Sequence, residues 1–419
     1  MVTLTMSRKE LSRVEWLSRV KQGEISLRSA SAKMVVSYRQ AKRMRRRYQA
    51  QGAPGLVHGL RGKPSNRKTD DAQRQRVLQL YQEKYPGFGV TLAAECLLEE
   101  DKLKVPVETL RTWLKREGLW QRRRKSQPHR SWRPRRERSG ELVQIDGSPH
   151  DWFEGRGPKA VLMEMVDDAT GRTLSRFYEE ETTEAAMDLF ARYVSKYGLP
   201  QALYSDHDSI YETSLKTSTK EALRGEEPVT QFGRAMKELG VQIILANSPQ
   251  AKGRVERRHG VMQDRLIKMM RLKQISDIDS ANRFLDGGFL AKENLKFAKQ
   301  AVCVQDGHRQ VPQGIDLRVV LSIQEERVVQ NDWTVVWHNR WFQLGAGEQK
   351  QRLVKKKVQV CRLLDGTMRL QYRGRELQWK ELPERPARVK VAKPKLVATG
   401  KPVKKPRADH PWRKTRAVV

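Results

Sequence analysis

Apolar residues recur at helical spacing through the first third of the chain and divide it into short segments. Leu11, Val14 and Leu17 fall on one face of a first helix, which begins at a capping box. A second short helix follows, and Ser37 caps a third helix whose outer face is mostly Lys and Arg. Three short helices of which the last is basic predict a helix-turn-helix DNA-binding domain over residues 1–52. The alternative is a bundle with a solvated basic helix, which is unusual without acidic partners at i,i+4 spacing.

A linker rich in Gly and Pro at 53–68 separates this domain from a second helical pattern at 69–120. In the last helix of that pattern Arg111 and Lys115 lie opposite the apolar face, although nearby acidic residues dilute the charge. We therefore expect a second helix-turn-helix-like domain with a weaker signal than the first. Residues 121–139 combine many Lys and Arg with no apolar periodicity, which predicts a basic linker that becomes ordered on DNA.

From residue 140 to about residue 300 the pattern changes, and apolar strands alternate with amphipathic helices. The order is three strands, then helix, strand, helix, strand and helix. The first three strands can pair as an antiparallel meander, while the later strands enter through helical crossovers. This pattern predicts a mixed α/β domain over 140–300.

Beyond this domain the apolar segments become short and alternate with polar residues. Between 315 and 383 they are joined by turn pairs such as Asp365-Gly366, which predicts a small β-barrel. The tail at 384–419 is rich in Lys, Arg and Pro, so we expect it to be disordered and to bind phosphate. The predicted fold class is multidomain, with all-α helix-turn-helix units, a central α/β core, a small β-barrel and a disordered basic tail.

The formal net charge of +34, from 83 Lys and Arg against 49 Asp and Glu, adds a class of partner to this organisation. Such a charge predicts salt-sensitive association with a polyanion, and nucleic acid is a far better candidate than an anionic membrane surface. The three cysteines are too scattered for a zinc site or a disulfide framework and fit a reducing cytosol. The sequence has no apolar run of membrane-spanning length and no signal-peptide pattern. We therefore expect a cytoplasmic, nucleoid-associated protein without a membrane partner.

Three acidic residues lie where the core pattern would place a catalytic edge. Asp146 and Asp206 each follow an apolar strand directly, and Glu256 falls in the first turn of the helix after the last strand. In a sheet whose first and fourth strands are neighbours, the three carboxylates can converge. Carboxylate oxygens on a basic surface predict a site for two Mg²⁺ ions, with Mn²⁺ as a substitute. Such a site lowers the pKa of a bound water and stabilises a leaving 3′ oxygen.

Structural explanations compete for these acids. Glu256 lies among basic residues and can simply moderate their mutual repulsion. These residues are Lys252, Arg254, Arg257 and Arg258. The pair Asp167-Asp168 precedes Ala-Thr-Gly and is explained more simply as part of a hairpin turn, since Asp is favoured there. For Glu256 the structural explanation loses ground, because two upstream Asp residues lie at predicted strand ends.

Four motifs of the core carry a family resemblance. They are Gly140-Glu-Leu-Val-Gln-Ile-Asp-Gly-Ser-Pro-His-Asp-Trp-Phe-Glu-Gly-Arg-Gly157, Val166-Asp-Asp-Ala-Thr-Gly-Arg172, Ala202-Leu-Tyr-Ser-Asp206 and Ala246-Asn-Ser-Pro-Gln-Ala-Lys-Gly-Arg-Val-Glu-Arg257. Together they resemble the integrase-type transposases of bacterial insertion sequences, and most of all the ISNCY group. Amino-terminal segments at 37–43 and 55–62 resemble that group as well, so the similarity extends over most of residues 1–300.

The resemblance implies a ribonuclease-H-like catalytic core whose Asp-Asp-Glu triad maps onto Asp146, Asp206 and Glu256. It implies a transposase that binds the terminal inverted repeats of its element, cleaves each 3′ end with the help of metal and joins that end to target DNA. Because an element has two ends, we expect at least a dimer on double-stranded DNA. The segment 207–227 departs from the better-known integrase pattern, and its polar composition predicts a loop insertion.

Side chains on the basic surfaces are the expected DNA contacts. They are Tyr38, Arg39, Lys42, Arg43, Arg46, Arg111, Lys115, Arg122, Arg123, Arg124, Lys252, Arg254 and Arg257. Two other functions are open, a DNA-binding regulator that has lost its chemistry and a nuclease without strand transfer. The presence of all three carboxylates disfavours the regulator, and two helix-turn-helix units with a terminal barrel favour end recognition over a simple nuclease.

Overall fold

The computed structural model describes residues 5–61, 68–121, 134–213, 228–246, 253–384, 407 and 409–410. The chain forms two compact units, residues 1–124 and 125–419. The predictions that lie outside the described residues concern most of the basic linker and of the tail, the larger part of the segment 207–227, and Arg122, Arg123, Arg124 and Lys252. Within the described part of the chain, no helix is both long and apolar enough to cross a lipid bilayer.

The first unit begins with the three helices that the apolar spacing predicts. They are α1 (Arg8–Lys21), α2 (Leu27–Lys33) and α3 (Tyr38–Gln51), followed by a 3₁₀ turn at Ala53–Leu56. Leu17, Ala41 and Met44 form a small core, and Leu56 from the predicted linker packs with them. The start of that linker is therefore part of the packed domain, because its apolar side chain is buried against the helices.

A buried glutamate fastens the three helices to the following loop. Ser7 and Glu10 form the predicted capping box at the start of α1. Glu10 Oε1 also accepts a hydrogen bond from the backbone N–H of His58 at 2.9 Å, and Oε2 accepts one from Arg61. The backbone hydrogen bonds from Ser7 and His58 lower the pKa of Glu10 to about 2. The carboxylate therefore stays charged and ties the loop after α3 to α1.

Three further helices complete the first unit. They are α4 (Asp71–Lys84), α5 (Val90–Glu99) and α6 (Val107–Arg116). Val77, Leu97, Leu110 and Leu114 are fully buried between them. The apolar face of α6 is thus covered as predicted, and Lys115 is exposed on its other side.

The second unit contains a five-stranded mixed sheet. Its strands are β1 (Leu142–His150), β2 (Ala160–Asp167), β3 (Thr173–Tyr178), β4 (Ala202–Ser205) and β5 (Gln242–Leu245). Their order in the sheet is β3-β2-β1-β4-β5. The first three strands pair antiparallel, whereas β4 runs parallel to β1 and β5 runs parallel to β4. This order confirms the predicted mixed sheet and is that of a ribonuclease-H-like core.

The predicted end of β1 at Asp146 is wrong. The strand continues to His150, because β2 pairs with it along residues 143–150 and places Glu164 opposite Asp146. On the other side β4 pairs only with the first part of β1 and ends at Ser205. Asp146 therefore lies in the middle of its strand, at the point where one of its two neighbouring strands stops.

Helices cover this sheet. They are α7 (Thr183–Tyr197), α8 (Gln231–Glu238), α9 (Gly253–Leu272), α10 (Ile278–Phe284) and α11 (Leu290–Phe297). The predicted apolar stripe of α9 is confirmed, since Val255, Met262, Leu266 and Met269 are all buried. With this stripe α9 packs against β1 and β2.

Two asparagines cover the outer edge of β3. Asn282 bonds both backbone groups of Phe177, with Oδ1 2.8 Å from the nitrogen and Nδ2 3.0 Å from the oxygen. Asn294 bonds both backbone groups of Thr173 in the same way, at 2.8 and 2.7 Å. These side chains satisfy edge groups that would otherwise be open to another strand.

After the short helix α12 (Leu317–Val320) the chain forms two small antiparallel sheets. Their strands are β6 (Ile323–Val328), β7 (Thr334–Trp337), β8 (Arg340–Leu344), β9 (Lys357–Arg362), β10 (Met368–Tyr372), β11 (Arg375–Glu376) and β12 (Trp379–Leu382). One sheet has the order β11-β10-β9-β6 and the other β12-β8-β7. Val335, Phe342, Val360 and Leu370 belong to the core that the two sheets share. Within the described residues the strands form two sheets and no closed barrel, so the predicted barrel is not confirmed.

Candidate active site

The two aspartates of the predicted site lie on neighbouring strands. β1 and β4 pair in parallel, with Gln144 opposite Tyr204. The same register, carried two residues further, places Asp146 level with Asp206, the first residue after β4. The side chain of Asp146 is 16% exposed and Asp206 is partly buried. Both carboxylates therefore lie at the rim of the sheet, where solvent or a substrate can reach them.

Helix α9, which carries Glu256, is fastened to β1 by a buried polar network. Gln144 Oε1 accepts a hydrogen bond from the backbone N–H of Val255 at 3.1 Å, and its Nε2 donates to Asp168 at 3.0 Å. Asp168 is fully buried and also pairs with Arg254. These contacts fix the first turn of α9 against β1 and leave the Glu256 side chain exposed there.

Further along the same helix, His259 lies between two acids. Its Nδ1 is 3.8 Å from Oδ2 of Asp146, and its Nε2 is 3.3 Å from Oε2 of Glu164. Glu256 precedes His259 by three residues, so both side chains share one face of α9. His259 contacts the strand that carries Asp146, and the exposed Glu256 lies one turn earlier on the same helix.

Glu164 is a fully buried acid behind Asp146. Its Oε1 accepts a hydrogen bond from Ser175 Oγ at 2.7 Å, and the buried cation Arg258 favours its charged form. Burial outweighs these effects and raises the pKa of Glu164 to about 7, and the charge of Asp146 adds to the rise. Burial also lowers the pKa of Arg258. A carboxyl that titrates near neutral pH therefore backs the first predicted catalytic aspartate.

A fourth acid and a tyrosine border the same rim. A side chain at Gly147 would place its Cβ 2.0 Å from Oε2 of Glu181, so the Glu181 carboxylate lies directly against β1. Tyr211 follows β4 and is 5% exposed. Burial, and then the charges of Glu181, Asp206 and Asp146, raise the pKa of Tyr211 well above its ordinary value.

The carboxylates of the rim have the chemistry of a divalent-metal site. In the described part of the chain, three or more His, Cys, Asp or Glu side chains nowhere come close enough together to hold an ion. The donors are nevertheless hard oxygen atoms on two adjacent strands and a facing helix, and Mg²⁺ prefers such ligands. The negative charges of Glu181, Asp206 and Asp146 all act on the buried hydroxyl of Tyr211. A divalent cation would neutralise this negative charge. The residues present therefore fit a divalent cation in the chemistry of their donor atoms.

The predicted DNA contacts of α3 lie on its exposed face. The basic and aromatic side chains there are Tyr38, Arg39, Lys42, Arg43 and Arg46. The Lys42 ammonium lies 4.9 Å from the centroid of the Tyr38 ring. On α6, Arg111 pairs with Glu108 and lies 5.9 Å from the ring centroid of Trp120. Of these two helices, α6 contains an acidic residue, Glu108, whereas α3 contains none.

Near Glu256 two of the predicted DNA contacts, Arg254 and Arg257, have different surroundings. Arg257 is exposed. Arg254 is only 16% exposed, and its guanidinium pairs with the buried Asp168. A buried carboxylate needs a cationic partner, and Arg254 supplies it. The structure therefore directs the Arg254 guanidinium at Asp168, whereas the prediction had it facing DNA.

The pair Asp167-Asp168 does more than turn a hairpin. Asp167 accepts a hydrogen bond from the backbone N–H of Thr170 at 2.9 Å, as the turn interpretation requires, and another from that of the distant Gly140 at 2.9 Å. Asp168 accepts one from the backbone N–H of Arg136 at 2.8 Å besides its contacts to α9. The turn interpretation therefore accounts for the first of these acids and misses the anchoring role of the second.

Sequence reasoning missed five residues of the site. They are Gln144, Glu164, Glu181, Tyr211 and His259. A signal for Glu164 was present, because an acid inside an apolar strand has to be buried. Glu181 and Tyr211 reach the rim through a loop and a turn, and the spacing of residues along the chain does not specify their paths.

Comparisons with known proteins agree with these features. A helix-turn-helix domain family matches residues 12–65. The chain is 38% identical over 379 residues to y4bF of Sinorhizobium fredii, a protein named as a transposase, with 90% of this chain and 82% of that protein covered. It is 27% identical over 402 residues to the transposase for insertion sequence IS1202 of Streptococcus pneumoniae, with 87% of this chain and 84% of that protein covered.

Solved structures give weaker likenesses. One is the HTLV-2 integrase catalytic core domain in complex with magnesium, at 17% identity and a TM-score of 0.26, covering 35% of this chain and 83% of that one. Another is the simian T-cell lymphotropic virus intasome with the PP2A regulatory subunit B56 gamma, at 15% identity and a TM-score of 0.31, covering 74% and 100%. Both TM-scores are low, so the strand order and directions define this fold and these likenesses do not.

Proposed function

Because this chain belongs to the family of insertion-sequence transposases, we propose that it cleaves the 3′ ends of its element and joins them to target DNA at Asp146, Asp206 and Glu256. The observation that carries the proposal is the parallel register of β1 and β4, which sets two carboxylates side by side opposite the helix that bears the third. Cleavage and joining are both attacks of an oxygen nucleophile on a phosphodiester. One site can therefore serve both steps.

The three carboxylates would hold two Mg²⁺ ions, for which Mn²⁺ can substitute. When bound, such ions stabilise the charge that develops on the phosphate and on the leaving 3′ oxygen. The residues of the chain set the positions of the ligands. Gln144 fixes the first turn of α9 and hence Glu256. His259 lies beside the Asp146 carboxylate and restricts the directions it can take.

The exposed face of α3 is our candidate surface for the terminal inverted repeats. Its apolar side is buried against α1 and α2, so its basic side is free to enter a major groove. The helix-turn-helix family match includes this helix. Target DNA would be held by the charge of the chain through phosphate contacts, which need no fixed sequence.

We propose an active assembly of at least two copies on DNA, with each copy cutting the end that its partner binds. One copy supplies one carboxylate triad, yet an element has two ends that must be joined at nearby positions. The net charge of +34 opposes self-association, and DNA would neutralise it. Mass measurement with and without end duplex tests the first part. Mixing a Glu256→Gln copy with a binding-defective but catalytically intact copy tests the second.

The decisive experiment separates binding from chemistry. We expect Asp146→Asn, Asp206→Asn and Glu256→Gln each to abolish cleavage of a labelled end duplex in Mg²⁺ and to leave its binding unchanged, because the phosphate contacts lie elsewhere. The matched control is Asp264→Asn, an exposed acid on the same helix as Glu256, which should cleave normally. Wild-type cleavage by any one of the three variants would remove that residue from the site.

The two other functions predict different products. A duplex with a pre-cut 3′ end, incubated with plasmid and Mg²⁺, should give joined products if the chain is a transposase. Cleavage without joined products would indicate a nuclease. Tight binding with neither product, from the wild-type chain, would indicate a regulator.

A further inference from the structure

Tyr211 is held rigidly beside Asp206. It belongs to a tight turn in which its backbone N–H donates to the carbonyl of Asp208 at 3.0 Å and that of Ile210 to Asp208 Oδ1 at 2.9 Å. Its ring packs edge-on against Phe232, with the centroids 5.3 Å apart and the planes at 90°. The turn and the ring contact together fix where the hydroxyl points.

That hydroxyl is buried and makes no hydrogen bond to any described residue. Buried hydroxyls are normally paired, because an unpaired one loses its hydrogen bonds to water without replacement. The charged groups that act on it most strongly are all carboxylates, namely Glu181, Asp206, Asp146 and Asp208. A proton donor thus lies next to the proposed metal site without a partner among the described residues.

We propose that the Tyr211 hydroxyl is the donor for an oxygen atom that enters the site together with the divalent cation. The inference rests on the proposed function, since it needs a cation among these carboxylates. A phenol is protonated at neutral pH, so this hydroxyl can donate a hydrogen bond. A divalent cation would be held by these carboxylates and would carry water oxygens with it. Tyr211 then acts as a positioning residue that holds one of these oxygens.

Two other tyrosines of the same unit, the partly buried Tyr178 and the buried Tyr193, show what a structural hydroxyl looks like. Tyr178 donates to Oδ2 of Asp188 at 2.7 Å, and the Tyr193 hydroxyl lies 2.9 Å from Nε2 of His308. Both have their partners within the folded chain. Removing either hydroxyl should weaken the fold whether or not metal is present.

The test is Tyr211→Phe in the full chain, with Tyr178→Phe as the matched control. Each is freed of metal with EDTA, titrated with Mn²⁺ by calorimetry and melted with and without Mn²⁺. We expect Tyr211→Phe to leave the metal-free melting temperature unchanged or raised, because it removes an unsatisfied group. Its affinity for Mn²⁺ should fall by about five- to tenfold, as expected for one lost hydrogen bond. Tyr178→Phe should melt lower and bind Mn²⁺ normally.

Wild-type Mn²⁺ affinity in Tyr211→Phe, or a metal-free melting temperature lowered as far as in Tyr178→Phe, overturns the inference. Asp146→Asn separates this failure from that of the proposed function. A wild-type chain that does not bind Mn²⁺, or an Asp146→Asn variant that binds it fully, overturns both. Loss of binding in Asp146→Asn with full binding in Tyr211→Phe overturns only the role of the hydroxyl.

Discussion

Two buried glutamates, one in each unit, have pKa values that are shifted in opposite directions. Glu10 is 4% exposed and Glu164 is fully buried. Backbone N–H groups converge on Glu10 and lower its pKa to about 2, whereas burial raises the pKa of Glu164 to about 7 despite the help of Ser175 and Arg258. Several donors in direct contact can keep a buried carboxylate charged, while burial next to another acid favours the neutral form. The first arrangement fastens a fold, and the second lies behind the candidate site.

The largest effect should come from Asp168, a buried acid that fastens the site itself. Asp168→Ala leaves Arg254 without its partner and frees the amide of Gln144. We expect the free energy of unfolding of the second unit to fall by about 3–5 kcal/mol in urea titrations. Asp264→Ala, an exposed acid of α9 paired with Lys268, should change it by less than about 0.5 kcal/mol. Equal losses would mean that burial does not distinguish the two acids.

The raised pKa of Glu164 predicts that the free energy of unfolding falls as the pH rises, which is the opposite of what Glu10 predicts. The folded-state pKa of Glu164 is raised, so its contribution to stability is complete below about pH 4.5 and is lost as the pH rises through about 7. Between pH 5 and pH 8 the metal-free wild type should lose about 2–3 kcal/mol that Glu164→Gln retains. Urea unfolding in EDTA at both pH values measures this difference. Parallel losses in the two proteins would contradict the assignment to Glu164.

Glu10 should show the opposite sign and a smaller effect. Its folded-state pKa is lowered, so its contribution is present above about pH 4.5 and disappears as the pH falls through about 2. Glu10→Gln should therefore speed hydrogen exchange of the α1 amides at neutral pH, and the difference should shrink in acid. Glu15→Gln, an exposed acid on the same helix, is the control and should exchange like the wild type. A difference that grows in acid would reverse the proposed role of Glu10.

The smallest effect should come from Arg61, which binds Glu10 from the solvent side. The backbone N–H groups of Ser7 and His58 are the main cause of the low pKa, so Arg61→Ala should leave the pKa of Glu10 well below its ordinary value. The pKa of Glu10 is measured by following the NMR shift of its carboxyl carbon as the pH is changed. A return to an ordinary pKa would show that the cation, and not the backbone, holds this carboxylate charged.

The features that the sequence predicted correctly depend on residues close together along the chain. Ser7 and Glu10 are three positions apart, so one helical turn decides their contact. The stripe from Val255 to Met269 follows from the helical period alone. The mixed sheet follows from the order of its strands, because parallel strands need crossovers.

The rest depended on partners far along the chain. β1 extends past Asp146 because β2 pairs with it, and no residue of β1 itself marks that extension. Asp168 becomes an anchor only when α9 brings Arg254 to it. In the carboxy-terminal region the strands were predictable from alternation, but whether they close into a barrel is decided by pairing between distant strands.

The asparagine-covered edge of β3 bears on what happens when many copies crowd onto one DNA molecule. At high local concentration an open sheet edge can accept a strand from a neighbouring chain and start a growing fibre. At this edge an incoming strand would first have to displace the four hydrogen bonds that Asn282 and Asn294 make to Phe177 and Thr173. These four hydrogen bonds therefore oppose the addition of a strand at this edge.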